Sequence, residues 1–321
     1  MDILSIFYLV AGFIGLIFGG DLLVRGAVAI AARFGVSPFV IGLTLVGFGT
    51  STPELLTSVN AALSGASGIA VGNVVGSNIA NVFLIIGIAA LIAPMAIART
   101  GFVRDGAMLC IATLACFIAA HSGALGRGAG FGFLALMAGY LIYTLMSERK
   151  SQTIAGESMA QLGETVVPVH MGKQVLFVAF GLALTLLGAK FLVQGAVALA
   201  AGFGVSETLI GLTIVAVGTS MPELVTSVIA ARKGQAGVAF GNVLGSNIFN
   251  ILGILGVVAI VQPIDIPPEI VNFDIWVMAV SSIVLLGFAV SAWRITRTAG
   301  AIMLASYVGY TVYLIWQATL S

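Results

Sequence analysis

Residues 26–54 and 195–223 are one segment present twice. GAVAIAARFGVSPFVIGLTLVGFGTSTPE aligns without gaps to GAVALAAGFGVSETLIGLTIVAVGTSMPE at a constant offset of 169, with 20 of 29 positions identical. The match continues through 55–81 and 224–250, with 17 of 27 identical. Gly, Thr, Ser, Pro, Glu and Asn match as well as the aliphatics, so shared hydrophobicity does not explain it. A long internal repeat fixes the architecture before any residue is interpreted. The solvent for that architecture is lipid: the chain is 60% hydrophobic and 8% charged with mean hydropathy +1.17, where a soluble domain has about a quarter of its residues charged.

A spanning helix needs roughly 20 apolar residues. Ten such stretches are predicted, over 4–30, 36–64, 69–94, 104–121 and 127–146, then 174–200, 206–232, 237–262, 273–292 and 297–318. The expectation is therefore an all-α polytopic membrane protein with five helices in each half. The halves are 1–146 and 174–321, joined by a linker at 147–173. An odd number of helices per copy makes the second copy enter the bilayer from the opposite side, so the repeats are inverted. Secondary transporters are commonly built this way, with a site near the midplane between the repeats that opens to each side in turn.

Charge sets the expected orientation. Alternating the loops puts Arg33, Arg99, Arg104, Arg149, Lys150, Lys173, Arg232, Lys233, Arg294 and Arg297 on one face and Arg127 alone on the other. Cytoplasmic loops carry the excess of Lys and Arg. Both termini are thus expected outside a plasma (inner) membrane, with the polar linker in the cytoplasm as a tether. A regulatory ion sensor is the alternative for that linker. No Lys or Arg precedes the first apolar stretch and no cleavage motif breaks it before Asp21, which argues against a removed signal peptide. Cys110 and Cys116 have neither zinc nor redox spacing. A net charge of +1 without a basic run gives no nucleic-acid footprint. Lipid and small ions are the expected partners, with no obligatory protein partner and no cofactor.

Of the acidic residues, Glu54 and Glu223 lie deep in long apolar stretches, and they are equivalent under the repeat. A charge at the centre of a spanning helix costs about 2.5–3.5 kcal/mol on insertion scales. No basic residue lies near either in sequence, so a bound cation is the natural compensator; carboxyls held protonated are the alternative. Each Glu ends a polar run, Gly49-Thr50-Ser51-Thr52-Pro53-Glu54 and Gly218-Thr219-Ser220-Met221-Pro222-Glu223. Pro53 and Pro222 are expected to bend their helices and free a carbonyl one turn earlier. The next helix carries Asn73, Ser77 and Asn81 at i, i+4, i+8, echoed by Asn242, Ser246 and Asn250. Such stripes can bind an ion or hold helices together, and Asn73, Asn78, Asn242 and Asn247 fit either role. Hydroxyl, amide, backbone and carboxylate oxygens, without Cys or His, suit hard cations such as Ca2+ and Na+. Two carboxylates are neutralised by one Ca2+ or by two Na+, so either ion can satisfy one cavity.

The motif pairs GTSTPE with GNVVGSNIAN and GTSMPE with GNVLGSNIFN resemble the alpha-repeats of the sodium/calcium exchangers in the Ca2+/cation antiporter superfamily, over the whole chain. The resemblance implies secondary antiport, with Glu54 and Glu223 as the Ca2+-binding carboxylates. It also implies oxygens from Thr50 and Thr219, carbonyls at Gly47 and Ala216, and flanking Na+ sites at Ser51, Ser220, Ser77 and Ser246. The first and sixth helices, around 4–30 and 174–200, are implied to slide and switch access. Asn81 and Asn250 complete the candidate site. Several family members have aspartate where this chain has Asn250, so K+-dependent Na+/Ca2+ exchange and H+/Ca2+ exchange stay open beside Na+/Ca2+ exchange. A cation channel is the rival outside the class. An enzyme is not expected, because His121 and His170 fall at or beyond helix ends. Asp21 and Lys190 are repeat equivalents on the first and sixth helices, either gating the pair or reaching water from opposite faces.

Overall fold

Glycines at seven-residue spacing organise the longest helix pair of the computed structural model, which describes residues 3–97, 99–160, 171–203 and 216–320. Helix α1 (Ile3–Phe34) and helix α7 (Met171–Gly202) run antiparallel along their lengths. Gly12, Gly19 and Gly26 on α1 meet the backbone of α7, and Gly181, Gly188 and Gly195 meet that of α1. A Cβ on Gly19 would lie 2.5 Å from Thr185 N, and one on Gly188 would lie 2.6 Å from Leu16 N. In lipid no hydrophobic force drives helices together, so close backbone approach at small residues supplies the packing. These six glycines are three repeat-related pairs, each with its twin in the opposite helix.

The remaining elements follow the same duplication. Helices α2 (Pro38–Thr50) and α3 (Thr52–Leu63) form one broken span, bent by 43°. Helix α4 covers Ser67–Ile92, α5 Arg99–His121 and α6 Arg127–Ala160. In the second half, α8 (Ala216–Thr219) and α9 (Met221–Arg232) repeat the break. They are followed by α10 (Ala236–Val261), α11 (Ile270–Ala292) and α12 (Arg297–Leu320). Eight helices among the described residues are long and apolar enough to span, and the bent pair α2–α3 makes nine. The expected span 206–232 is described only from residue 216, so the ten-helix count rests in part on residues outside the described set. Pro53 and Pro222 each stand second in a new helix, where a missing N–H costs nothing. The break therefore falls at Ser51 and Ser220 instead of as a kink at the prolines.

One further expectation changes. Helix α6 continues through Ala160, so the linker begins as helix; eight of the fourteen residues from Ser147 to Ala160 are Glu, Arg, Lys, Gln, Met or Ala, good helix formers, and none is proline. The rest of the linker up to residue 170 lies outside the described residues. Asp21, meanwhile, accepts from Arg25 at 2.7 Å and pairs with Lys233 at the end of α9, while Lys190 is exposed.

Helices α4 and α10 form the centre: 72% and 83% of their apolar windows are buried, against 17% for α12. Leu43 of α2 and Phe240, Leu244 and Ile248 of α10 are among the fully buried side chains. Two short clasps tie the repeats. Strand β1 (Met95–Ala96) pairs antiparallel with β4 (Arg294–Ile295), and β2 (Ala124–Leu125) with β3 (Ile264–Asp265). Beside each clasp an arginine caps a core helix: Arg297 Nε donates to Leu91 O and Arg127 Nε to Ile260 O, both at 3.1 Å. A cation at a helix C-terminus satisfies orphan carbonyls and complements the dipole.

Candidate functional site

The breaks at Ser51 and Ser220 place two polar turns at the buried centre, one from each repeat. Both serines take φ,ψ near the bridge region, −81°, 9° and −88°, 8°. Helix α3 then starts with Glu54 in its first turn and α9 with Glu223 in its first turn. Both carboxylates are buried to within 1% of full exclusion. Among the described residues no ion pair involves either of them. Each is instead bonded by a serine of the other repeat: Ser51 Oγ donates to Glu223 Oε1 at 2.9 Å, and Ser220 Oγ donates to Glu54 Oε1 at 3.2 Å.

The backbone beneath the glutamates is held by the asparagines of α4 and α10. Asn73 Nδ2 donates to Glu54 O at 3.1 Å and to Ser58 Oγ at 2.9 Å; Asn242 Nδ2 donates to Glu223 O at 3.3 Å and to Ser227 Oγ at 2.9 Å. Across the repeat boundary, Thr50 Oγ1 donates to Asn242 Oδ1 at 3.3 Å and Ser246 Oγ to Gly47 O at 3.2 Å. Gly47 O also accepts from Ser51 N at 3.1 Å and lies 3.3 Å from Thr50 Oγ1, whose one proton it shares with Asn242 Oδ1, so it is already well supplied with donors. Close approach makes this possible, since Gly241 and Gly245 of α10 lie against the Phe39 and Leu43 carbonyls of α2.

A second tier lies where α4 and α10 both pass through a wider π-helical turn, Asn81–Ile86 and Phe249–Ile254. Such turns are rare and frequent at functional sites. Asn81 Nδ2 donates to Asn247 Oδ1 at 2.9 Å and Asn250 Nδ2 to Asn78 Oδ1 at 3.1 Å. Four buried acceptors around this arrangement have no hydrogen-bond partner among the described residues: Glu54 Oε2, Glu223 Oε2, Asn81 Oδ1 and Asn250 Oδ1. They form two repeat-related pairs. A buried acceptor without a donor costs about 1–3 kcal/mol, and oxygens lacking donors in a water-poor interior are what a hard cation satisfies.

The candidate residues thus divide. Thr50, Ser51, Glu54, Ser220, Glu223, Ser246, Asn81 and Asn250 are buried and linked across the repeats. Ser77 is buried and Thr219 half-buried in the twin positions. Ala216 opens α8, and the backbone just before it is outside the described residues. Ser58 and Ser227 were not among the candidates, although Thr-Ser three and four residues after each Glu is identical in both repeats. Missed too was a pair outside the site: Tyr140 OH donates to Asp105 Oδ1 and Tyr310 OH to Asp274 Oδ1, both at 2.8 Å. Asp105 is fully buried and also holds Arg104 through two bonds of 2.6 and 2.8 Å.

Known proteins of the same build include sodium/calcium exchangers. The family model described as sodium/calcium exchanger protein matches residues 4–146 and 173–316. Sodium/calcium exchanger MaX1 of Methanosarcina acetivorans is 35% identical over 341 residues, covering 96% of this chain and 97% of that protein. The inner membrane protein YrbG of Escherichia coli is 32% identical over 96% of both chains. Among solved structures, the sodium-calcium exchanger NCX_Mj soaked with 2.5 mM Na+ and 0.1 mM Ca2+ superposes with a TM-score of 0.82 at 33% identity. That match covers 96% of this chain and 97% of the other. The apolar helices, the exchanger match over nearly the whole length and the shared fold together make this chain a multi-pass membrane transporter belonging to the sodium/calcium exchanger family of the Ca2+/cation antiporter superfamily.

Proposed function

We propose that the protein exchanges Ca2+ for Na+ by alternating access, with both ions competing for oxygens contributed by Glu54 and Glu223. The observation that carries this is the set of four buried, partnerless acceptors, two carboxylate and two amide, repeated symmetrically. One Ca2+ or two Na+ neutralises the two carboxylates. The hydroxyls of Thr50, Ser51, Ser77, Thr219, Ser220 and Ser246 extend the oxygen supply, as do the carbonyls of Gly47 and Ala216; for Gly47 to coordinate, one of its hydroxyl donors must turn away. Residues 1–146 and 174–321 act as the two halves, with both termini outside the plasma (inner) membrane and the linker in the cytoplasm. If three Na+ exchange for one Ca2+, one net charge moves per cycle, worth about 2.3 kcal/mol per 100 mV.

The test is 45Ca2+ uptake into Na+-loaded proteoliposomes, with arms lacking the Na+ gradient, containing K+, or carrying a pH gradient instead. Uptake that needs internal Na+ supports the proposal. Uptake driven only by protons, or requiring K+, moves the protein to another branch of the superfamily, and flux without a counter-ion makes it a channel. Glu54→Gln and Glu223→Gln should each abolish Ca2+ uptake while the protein still inserts and elutes as a single species. Exchange retained in both variants would remove the glutamates from the site.

A further inference from the structure

Resting on the cation site proposed above, the geometry points to Asn78 and Asn247 as positioning residues that fix the amides of Asn250 and Asn81 with their oxygens turned to the ion. Neither Asn78 nor Asn247 presents a partnerless oxygen. Each is instead the middle of a relay that starts at the backbone. Asn247 Nδ2 donates to Asn78 O and Asn78 Nδ2 to Asn247 O, both at 3.4 Å, and Asn78 Nδ2 also reaches Met278 Sδ at 3.6 Å. A backbone carbonyl only accepts, so it chooses the donor end of each side chain. The other end, Oδ1, is left facing the partner helix. There it only accepts in turn, and so it selects the NH2 end of Asn250 or Asn81.

The result is fixed two steps away. With their NH2 groups held, Asn81 and Asn250 must turn Oδ1 to the remaining side, where both atoms are buried without a partner among the described residues. A free asparagine has no such preference: rotation by half a turn would put an NH2 donor where the cation needs an acceptor. Asn78 and Asn247 are 1% exposed and sit on the two central helices, so the relay is shielded from water that would otherwise satisfy either orientation. Because the relay crosses from α4 to α10 in both directions, each repeat sets the ligand orientation of the other.

Removing the acceptor should free the amide without touching the ligand. Partners one step behind metal ligands typically account for 10–100-fold in affinity. In detergent-purified full-length protein, Asn78→Ala is expected to raise the Ca2+ dissociation constant, read by 45Ca2+ binding, about tenfold. Asn78→Asp, protonated on the oxygen that faces Asn247 O, keeps a donor there and an acceptor opposite Asn250, and should bind Ca2+ much more tightly than Asn78→Ala. The decisive comparison uses Asn250→Asp, whose two ends are both oxygens and need no orienting. On that background Asn78→Ala should change Ca2+ affinity by less than about twofold. An Asn78→Asp protein as weak as Asn78→Ala, or an undiminished tenfold loss on the Asn250→Asp background, overturns the inference. The twin pair, Asn247 with Asn81, repeats the comparison if an Asn78 variant does not fold. Glu54→Gln and Glu223→Gln run alongside: native binding in those variants would mean that the site is elsewhere, whereas their loss with an unaffected Asn78→Ala would refute the relay alone.

Discussion

Adding one methyl group at Gly245 should damage ion binding although Gly245 offers no ligand. A Cβ there would press on the Leu43 carbonyl of α2 and lie 2.6 Å from Leu43 Cα, where ordinary contact begins at 3.4 Å. The obstacle is backbone on both sides, so side-chain rotation gives no escape and α2 must withdraw by at least about 0.8 Å. That shift would stretch the Ser246 Oγ to Gly47 O bond, now 3.2 Å, and the Thr50 Oγ1 to Asn242 Oδ1 bond, now 3.3 Å, beyond hydrogen-bonding range. Overpacking a close-packed contact typically costs about 1–3 kcal/mol. Where that strain is concentrated in the ion-bound state, it corresponds to a loss of roughly 5- to 150-fold in affinity, at 1.4 kcal/mol per factor of ten. The assay is 45Ca2+ binding with a melting curve on purified Gly245→Ala. The control is Gly139→Ala, on the exposed side of α6, where nothing among the described residues lies within 4 Å of an added Cβ. Native affinity and native melting for Gly245→Ala would refute the claim that this crossing sets the site geometry.

Gly19→Ala should lower the melting temperature by prying α1 from α7, since its Cβ would meet Thr185 N and Oγ1 at 2.5 Å; an unchanged melt would show that the seam yields freely. Arg104→Ala leaves buried Asp105 without its bidentate partner and should cost about 3–5 kcal/mol of stability. The double variant with Asp105→Asn should recover most of that loss in chemical denaturation, and no recovery would deny that the unpaired charge is the cause. With Cys110 and Cys116 replaced by serine, Asp21→Cys and Lys233→Cys joined by a short bis-maleimide should stop exchange in proteoliposomes yet leave 45Ca2+ binding intact; full exchange after cross-linking would exclude movement between α1 and α9.

Polarity at membrane depth is conspicuous in a sequence, which is why Glu54, Glu223, Ser51 and Ser220 could be singled out from residue type and duplication alone. What residue type does not reveal is direction. Asn73 and Asn242 belong to the same stripes as Ser77 and Ser246, yet they use their NH2 groups to hold the backbone carbonyls of Glu54 and Glu223, because those carbonyls lie next to the first-turn breaks. Asp105 escaped notice because it falls one residue inside a predicted helix start, where a charge can ordinarily reach water. There it is buried and bonded by Tyr140, 35 residues away, a tertiary arrangement. The twin pair Asp274 and Tyr310 is also hidden by register, since the offset is 169 for the aspartates and 170 for the tyrosines. The helical run to Ala160 shows the converse: a polar composition suggested a tether, while intrinsic propensity favoured helix.

Alternating access requires one part to move against another without taking the ion ligands apart, and the bonds in this fold are distributed accordingly. The ligands proposed here are wired across the repeats by Ser51 to Glu223, Ser220 to Glu54 and the asparagine relay, all buried and all carried by α2, α3, α4, α8, α9 and α10. Helices α1 and α7 contribute none of those bonds. They are fused to each other by glycine-mediated backbone contact and meet the core through side chains such as Ile229 and Val225 opposite Gly20. Among the described residues their ion pair with the core is Asp21 with Lys233, whose side chains are 27% and 31% exposed, and a pair so exposed typically contributes about 0–1 kcal/mol. Dispersion contacts between smooth apolar faces can be exchanged for equivalent ones after a slide, whereas the buried hydrogen bonds of the site have no substitute in lipid. In the cycle proposed above, the cheap movement would therefore be that of the α1–α7 pair over an intact site, and the duplication would let one such pair serve both sides of the membrane.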